Sequence, residues 1–140
     1  MITKTEPLIL FQRKNFVEIF HDKSNNWIYA NWKGTPTTEQ VKEGVENVLD
    51  AIKEFKAGKV LNDNRELMGT WTAAMPWIVN DWWPRAMAEG FEAIAFIYSQ
   101  DVFGKFSVDS LIKQTDERGP VKQKPFQTYN EAAKWLEIIV

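Results

Sequence analysis

The sequence has no cysteine and only one histidine, His21, among its 140 residues. The absence of cysteine excludes disulfides, thiolate metal sites and thiol catalysis. A single histidine excludes a metal site built from several histidines, and we predict no bound metal. His21 belongs to an alternating strand pattern beside a polar turn, so we interpret it as a strand residue rather than a catalytic base.

Glycine is also sparse, with seven scattered residues, and no phosphate-binding loop of the Gly-x-Gly-x-x-Gly or Walker type occurs. A Gly-x-Ser-x-Gly nucleophile elbow is missing as well. The 17 basic and 19 acidic residues nearly balance, which leaves no basic surplus for nucleic acid or an anionic membrane. We therefore predict no cofactor, no nucleic-acid partner and no catalytic motif.

Long apolar runs are absent, and no basic segment followed by an apolar one begins the chain. These absences predict a soluble, cytoplasmic protein without a membrane span. Hydrophobic residues make up 44% of the sequence and charged residues 26%, which is typical of a globular chain that buries a core. With no linker or repeat, we predict a single domain over residues 1–140.

The hydrophobic pattern predicts an α/β fold. Alternating or apolar stretches indicate strands at 8–13, 16–21, 27–33, 60–62 and 91–98, with a last short strand ending near Phe126. Capping boxes at Thr37 and Thr128 begin the first and last helices, and two more helices are expected at 70–90 and 101–112. We expect a mostly parallel sheet with an antiparallel N-terminal hairpin and about four helices.

Details of three segments depend on weaker signals. The polar stretches 63–69 and 114–124 are predicted as loops. Pro84 predicts a kink or a restart of the second helix, because proline removes a backbone donor. The third helix offers four apolar side chains to the core: Val102, Phe103, Phe106 and Leu111.

The most function-like polar cluster is Asp63, Asn64, Arg65 and Glu66. It follows a predicted parallel strand, and α/β sheets bind ligands at the carboxyl ends of such strands. Asp63 and Glu66 are candidates for acid/base chemistry, and Asp63, Asn64 and Arg65 for a ligand or partner surface. The alternative is a loop whose side chains cap the next helix and satisfy backbone groups.

Tryptophan is abundant, with seven residues, four of them between Trp71 and Trp83. On a regular helix Trp71 and Trp82 fall on the core face, whereas Trp77 points roughly opposite and Trp83 lies on a flank. We interpret Trp71 and Trp82 as core residues. Trp77 and Trp83, with Arg85 in a polar rim, are candidates for a partner or ligand surface, the alternative being burial within the chain.

Several motifs together resemble STAS/SEC14-like proteins of the SpoIIAA-like superfamily, over the chain from about Trp27 to Leu136. They are Lys59-Val60-Leu61-Asn62-Asp63-Asn64, Trp82-Trp83-Pro84-Arg85, Ala95-Phe96-Ile97-Tyr98-Ser99 and the closing segment from Phe126 to Leu136. This resemblance implies a sheet with helices packed against it, used for protein recognition.

The family that the chain resembles includes anti-sigma-factor antagonists, in which a serine at a helix N-terminus is phosphorylated. The matching position falls near 68–72, where this chain has no serine. Thr70 and Thr72 are the residues there that could accept a phosphate, since a helix N-terminus favours its charge. The alternative role of either threonine is an N-cap.

These observations predict a non-enzymatic protein-interaction or regulatory module of a bacterial type, self-associating as a homodimer through Trp77 and Trp83. The second hypothesis is a binder of a small apolar or lipid-like ligand, with Trp77 and Trp83 lining a pocket and Asp63 or Arg65 at its mouth. The third is an enzyme that uses Asp63 and Glu66. No substrate, partner or pathway can be named from the residues.

Overall fold

The structure is a computed structural model that describes residues 7–116 and 118–139. It begins with three antiparallel strands, β1 (Leu8–Arg13), β2 (Val17–Asp22) and β3 (Trp27–Gly34). The polar turn between β2 and β3 closes on the Asp22 carboxylate, which accepts a hydrogen bond from the Asn25 backbone N–H at 3.0 Å. The predicted antiparallel start is confirmed.

Three parallel strands extend the sheet beyond β3: β4 (Lys59–Leu67), β5 (Ala93–Ile97) and β6 (Lys122–Phe126). All six strands are neighbours in chain order. Every residue of β5 is buried, as its apolar sequence predicts for a strand covered on both faces. The fold is therefore α/β, with a mixed sheet that starts antiparallel and continues parallel.

Four helical segments accompany the sheet. Thr37 caps α1 (Thr38–Phe55) with the predicted capping box, because its hydroxyl accepts from the Gln40 N–H while the Gln40 side chain accepts from the Thr37 N–H. The segment α2 spans 72–88, α3 spans Val102–Thr115 and α4 spans Tyr129–Ile138. No helix among the described residues is long and apolar enough to cross a membrane.

The helices divide unequally between the two faces of the sheet. Val48 of α1, Trp82 of α2 and Leu111 of α3 share one core with one face. Ala132 and Leu136 of α4 form a second core with the other face. The sheet is thus a layer with three helical segments on one side and α4 alone on the other.

The predicted loop at 63–69 is wrong over most of its length, because β4 continues to Leu67. The predicted loop at 114–124 is also too long, since α3 runs to Thr115 and β6 begins at Lys122. In β4 the polar residues stay in the strand because β3 pairs with it as far as Leu67, and because their side chains find partners within the fold.

The segment α2 is not one regular helix, and this overturns the surface prediction for Trp83. It consists of a 3₁₀ turn (Thr72–Ala74), an α-helical turn (Met75–Trp77), a π-helical turn (Ile78–Trp82) and a final α-helical part (Trp83–Ala88). The Trp83 N–H donates to the Ile78 carbonyl, five residues back. One extra residue in a turn rotates the rest of the helix by about 100°, so Trp83 enters the core, where only 1% of it is exposed.

The predicted core face of α3 is partly wrong. Leu111 is buried, but Val102, Phe103 and Phe106 are 69%, 62% and 62% exposed. The inward side at the start of this helix instead belongs to small residues: Gly104 is buried, and a Cβ there would lie 2.7 Å from Ser99 Cβ. The close approach of the backbones turns the larger side chains outward.

Candidate functional site

A bulge between Asp63 and Glu66 changes which face of the sheet the last residues of β4 occupy. Asn31 pairs with Asp63 and Lys33 with Glu66, so β4 uses three residues where β3 uses two. Before the bulge, alternation sends Asp63 towards α4. After it, Leu67 returns to the α1–α3 side, where strict alternation from Asp63 would not place it.

Asp63 lies on the α4 side and is 1% exposed, with both carboxylate oxygens occupied. One oxygen accepts from the Tyr29 hydroxyl at 2.6 Å and from Arg65 Nη2 at 2.7 Å. The other accepts from the Arg65 backbone N–H and Nε at 3.1 and 3.0 Å. These contacts do not leave the carboxylate free for a ligand or for proton transfer, which corrects the expectation of a ligand surface at Asp63.

The electrostatics of this cluster favour a fixed, structural pairing. Burial, then the hydrogen bond and charge of Asp63, raise the pKa of Tyr29 well above its ordinary value, so the phenol stays protonated. The hydrogen bond to Asp63 raises the pKa of Arg65 further. The neighbouring Tyr129 packs edge-on against Tyr29, and burial raises the pKa of Tyr129 to about 12.

The other side of the sheet contains a cavity. Its volume is about 60 Å³, several times the roughly 10–15 Å³ that one water requires. It lies towards the carboxyl ends of β3 and β4, under α1 and α2. The lining residues are Trp32, Pro36, Val41, Val45, Val48, Val60, Asn62, Asn64, Leu67, Trp71, Ile78, Trp82, Trp83, Ile94, Phe96 and Leu111.

The cavity wall is largely apolar and partly open. All but two of the 16 lining residues are apolar, the exceptions being Asn62 and Asn64. Pro36, Val45, Asn62 and Trp71 are half-buried, whereas the rest of the wall is buried. The wall therefore suits a molecule that is mainly hydrocarbon.

Four tryptophans contribute to this wall, and their indole N–H groups fall into two classes. Trp82 Nε1 donates to the Val45 carbonyl at 2.8 Å, and Trp32 Nε1 donates to Asn62 Oδ1 at 2.9 Å. Trp71 Nε1 and Trp83 Nε1 are buried and have no hydrogen-bond partner among the described residues. A buried donor without a partner is costly, and both of these indoles belong to residues of the cavity wall.

The two asparagines form a relay that begins at Trp32. Asn62 Oδ1 accepts from the indole, and Asn62 Nδ2 donates to Asn64 Oδ1 at 3.0 Å. Asn64 is 1% exposed, and its Nδ2 has no partner in the described part of the chain. Asn64 was predicted on a surface loop, and this was wrong: it is a buried residue of the cavity wall.

Trp77 lies outside the cavity wall and is half-buried. Lys42 Nζ and the Arg85 guanidinium lie 5.5 and 5.8 Å from the centre of its ring. Arg85 also makes paired hydrogen bonds to Glu46, both at 2.9 Å, and reaches Asp81. The expectation that Trp77 and Trp83 share one pocket with Arg65 or Asp63 at its mouth is wrong, because the π-helical turn separates the two rings and Asp63 faces α4.

The two candidate phosphorylation residues lie at the start of α2. The Thr70 hydroxyl is 3.0 Å from the Ser107 hydroxyl and accepts from the Thr72 N–H at 3.2 Å. Trp71, whose ring lines the cavity, donates its backbone N–H to Ser107. These hydrogen bonds tie the segment before α2 to α3, and phosphorylation of either threonine stays a prediction.

Reasoning from the sequence missed Trp32, Asn62 and the role of Asn64. In the sequence, Trp32 lies near the end of a strand pattern, which does not distinguish it from a core residue. Asn62 is the last residue of a short apolar run. Their common signal is weak: an amide two residues before another amide, on the same face of a strand that leads into the parallel sheet. Only the pairing of β3 with β4 brings Trp32 beside them.

Comparisons with known proteins returned no match: no family model matches the chain, and neither a curated protein nor a solved structure does. The resemblance to STAS/SEC14-like proteins therefore stays a prediction.

Proposed function

We propose that this protein is a non-enzymatic binding module that takes up a small, largely apolar molecule in the cavity between the sheet and α2. The observation that carries the proposal is the wall of this cavity, which combines tryptophan rings and aliphatic side chains with two amides at the carboxyl ends of parallel strands. Ligand sites in α/β folds are placed in this way, and apolar walls with a few polar groups are typical of them. The lipid-transfer side of the superfamily that the chain resembles supports the same proposal.

The size of the cavity sets the size of the probe. Its volume of about 60 Å³ is smaller than the roughly 150 Å³ of a cavity that takes up benzene. Cyclopentane is about as large as benzene, so it binds only if part of the ring stays in the open part of the cavity, and it is the apolar probe of the proposal. We expect it to shift the methyl resonances of Val41, Val48 and Leu111 in carbon–proton spectra, with a dissociation constant in the roughly millimolar range expected for so few atoms.

Two variants test where the probe binds. Val45 lines the cavity and is half-buried, so Val45→Phe should fill part of the space and abolish the shifts. Val121 is also half-buried but is not among the lining residues, so Val121→Phe should leave them unchanged. Methyl resonances that do not respond to cyclopentane up to its solubility limit, or shifts that survive Val45→Phe, would contradict binding in this cavity.

A second candidate is the protein-interaction and regulatory role, with a second copy of the chain as the partner. The observation that favours it is the exposed apolar surface of Val102, Phe103 and Phe106 on the first two turns of α3. The exposed charges Lys105 and Asp109 flank it with opposite signs. A surface with both signs beside an apolar stripe can pair with itself about a two-fold axis.

Sedimentation at increasing protein concentration tests self-association. We expect the wild type to form a dimer, and the double variant Phe103→Ala/Phe106→Ala to shift towards monomer. Trp77→Ala is the matched control, because Lys42 and Arg85 already cover that ring. A wild type that stays monomeric at every concentration would rule out this candidate without affecting the cavity proposal.

A further inference from the structure

The hydrogen-bonding capacity left in the cavity is one-sided. Because an indole N–H can only donate, the bond from Trp32 fixes which atom of the Asn62 amide is the oxygen. Asn62 Nδ2 then faces Asn64 Oδ1, which fixes the second amide and leaves Asn64 Nδ2 as a donor without a partner among the described residues. The relay thus ends in a donor, because these contacts leave only one assignment of oxygen and nitrogen for each amide.

Two further unpartnered donors belong to other residues of the same wall. Trp71 Nε1 and Trp83 Nε1, both buried and both without a partner in the described part of the chain, belong to residues that line the same cavity. The amide oxygens of Asn62 and Asn64 each already accept one hydrogen bond. Within residues 7–116 and 118–139, the polar side-chain atoms of the wall that lack any partner are therefore three N–H groups and no acceptor.

The charge of the lining residues restricts the class of ligand further. None of the described residues that line the cavity is charged. A carboxylate or phosphate would satisfy N–H donors, but an anion buried without a cation is strongly disfavoured. An alcohol would have to place its own O–H on an amide oxygen that already accepts one hydrogen bond. A plain hydrocarbon would leave the three donors unpartnered.

We propose that the ligand of this cavity is an uncharged hydrogen-bond acceptor on a small apolar body, of the ketone, ester or lactone class, whose carbonyl oxygen accepts from two of the three donors on Asn64, Trp71 and Trp83. This inference rests on the proposed binding function and names the chemical class of its ligand. The carbonyl has two lone pairs and no donor, which matches a wall that donates and does not accept.

A matched series on one ring tests the class: cyclopentanone, cyclopentanol, cyclopentane and cyclopentanecarboxylate. The readout is the indole N–H resonances in nitrogen–proton spectra, assigned by Trp→Phe substitution. We expect cyclopentanone to move the Trp71 and Trp83 indole protons downfield, as hydrogen bonding does. It should bind about tenfold more tightly than cyclopentanol or cyclopentane, which corresponds to about 1.4 kcal/mol, and the carboxylate should not bind.

The variants Trp83→Phe and Asn64→Leu should reduce the preference for the ketone over cyclopentane several-fold. Trp27→Phe is the matched control, because the Trp27 indole is also buried without a partner among the described residues but belongs to the α4 side of the sheet. For the variants, hydrocarbon binding shows that the cavity is still formed, so a lost preference is not a folding failure.

The outcomes separate the two proposals. If cyclopentane and cyclopentanone bind equally and the indole protons do not move, the ligand class is wrong and the binding function stands. If cyclopentanecarboxylate binds best, the assignment to an uncharged ligand is overturned. If no member of the series binds, the proposed function itself fails, and the three donors serve only the fold.

Discussion

β4 buries one polar side chain on each of its faces, at the adjacent positions Asp63 and Asn64. The two side chains differ in how completely they are hydrogen-bonded. Asp63, facing α4, has both carboxylate oxygens occupied by Tyr29 and Arg65. Asn64, facing α2, has its amide oxygen bonded, while its amide nitrogen has no partner among the described residues. Alternation along a strand puts these neighbours in different cores, so adjacent residues of one sequence motif serve different purposes.

This difference shows that a charged residue in the sequence does not by itself indicate the position of the candidate site in this protein. Asp63 and Arg65 look functional in the sequence because they are charged and follow an apolar run. Buried charges must be paired, however, and here each charge is the partner of the other. The amides and indoles attract less notice in the sequence, yet they are the groups left with unused hydrogen bonds.

The largest expected effect contrasts two substitutions on β4. Asp63→Leu leaves the buried Tyr29 hydroxyl and the 44% exposed Arg65 side chain without their partner and should lower the free energy of unfolding by about 2–3 kcal/mol. Asn64→Leu removes one hydrogen bond together with an unpartnered donor and should cost about 1 kcal/mol or less. Urea unfolding of both variants measures the difference, and similar losses would contradict the distinction between the two faces.

A smaller effect is expected at Gly44 in α1, where the helix meets the Trp32 ring. A Cβ on Gly44 would lie against Trp32 Cη2, far inside van der Waals contact, so Gly44→Ala must displace the ring that begins the Asn62 relay. Overpacking should outweigh the gain of up to about 1 kcal/mol in helix propensity and leave a net loss of about 1–2 kcal/mol.

Asp50→Ala is the matched control, because Asp50 is an exposed position of the same helix. The Trp32 indole resonance should move in Gly44→Ala and stay in place in the control. A Gly44→Ala protein as stable as the wild type, with the Trp32 resonance unmoved, would show that this contact does not hold the relay in position.

The smallest effect is a pH dependence to which two tyrosines of the α4 face contribute together with Tyr98 on the other side of the sheet. Burial and the hydrogen bond to Asp109 raise the pKa of Tyr98 to about 12. Burial raises the pKa values of Tyr29 and Tyr129, the latter to about 12, so the folded protein holds these protons more tightly than the unfolded chain does. Their stabilisation is complete below about pH 10, the ordinary pKa of tyrosine, and is lost as the pH rises through the folded-state pKa. We expect the free energy of unfolding to fall over that range.

The Tyr129→Phe variant should make this fall shallower, by less than about 1.4 kcal/mol per pH unit, the limit for one proton. Asn64→Leu, on the opposite face, should not change the slope. Denaturant unfolding at a series of pH values from about 9 to about 12, which brackets the tyrosine titration, measures it. A slope that Tyr129→Phe leaves untouched would mean that the α4 face does not control the alkaline limit.

Local signals account for the parts of the fold that were predicted correctly. The hydroxyl of Thr37 and the amide of Gln40 meet within one helical turn, so the start of α1 can be identified without knowing the rest of the chain. The apolar run of β5 likewise predicts a strand covered on both sides. The candidate site was predicted only in its general place, at the carboxyl end of β4, because residues 63–69 were predicted as a loop rather than as a strand with two faces.

The sequence by itself determined the elements, their order and the antiparallel start, because caps, turns and periodicity act between residues close along the chain. Only the tertiary structure decided that Trp83 is buried, that Phe103 and Phe106 are exposed, and that Asn64 rather than Asp63 faces the cavity. The first depends on the added residue of the π turn, and the second on the close approach of α3 to Ser99. The third depends on the pairing of β4 with β3 beyond residue 62, which makes this segment a strand with two faces. Such features are set by the packing of distant segments, which local patterns do not encode.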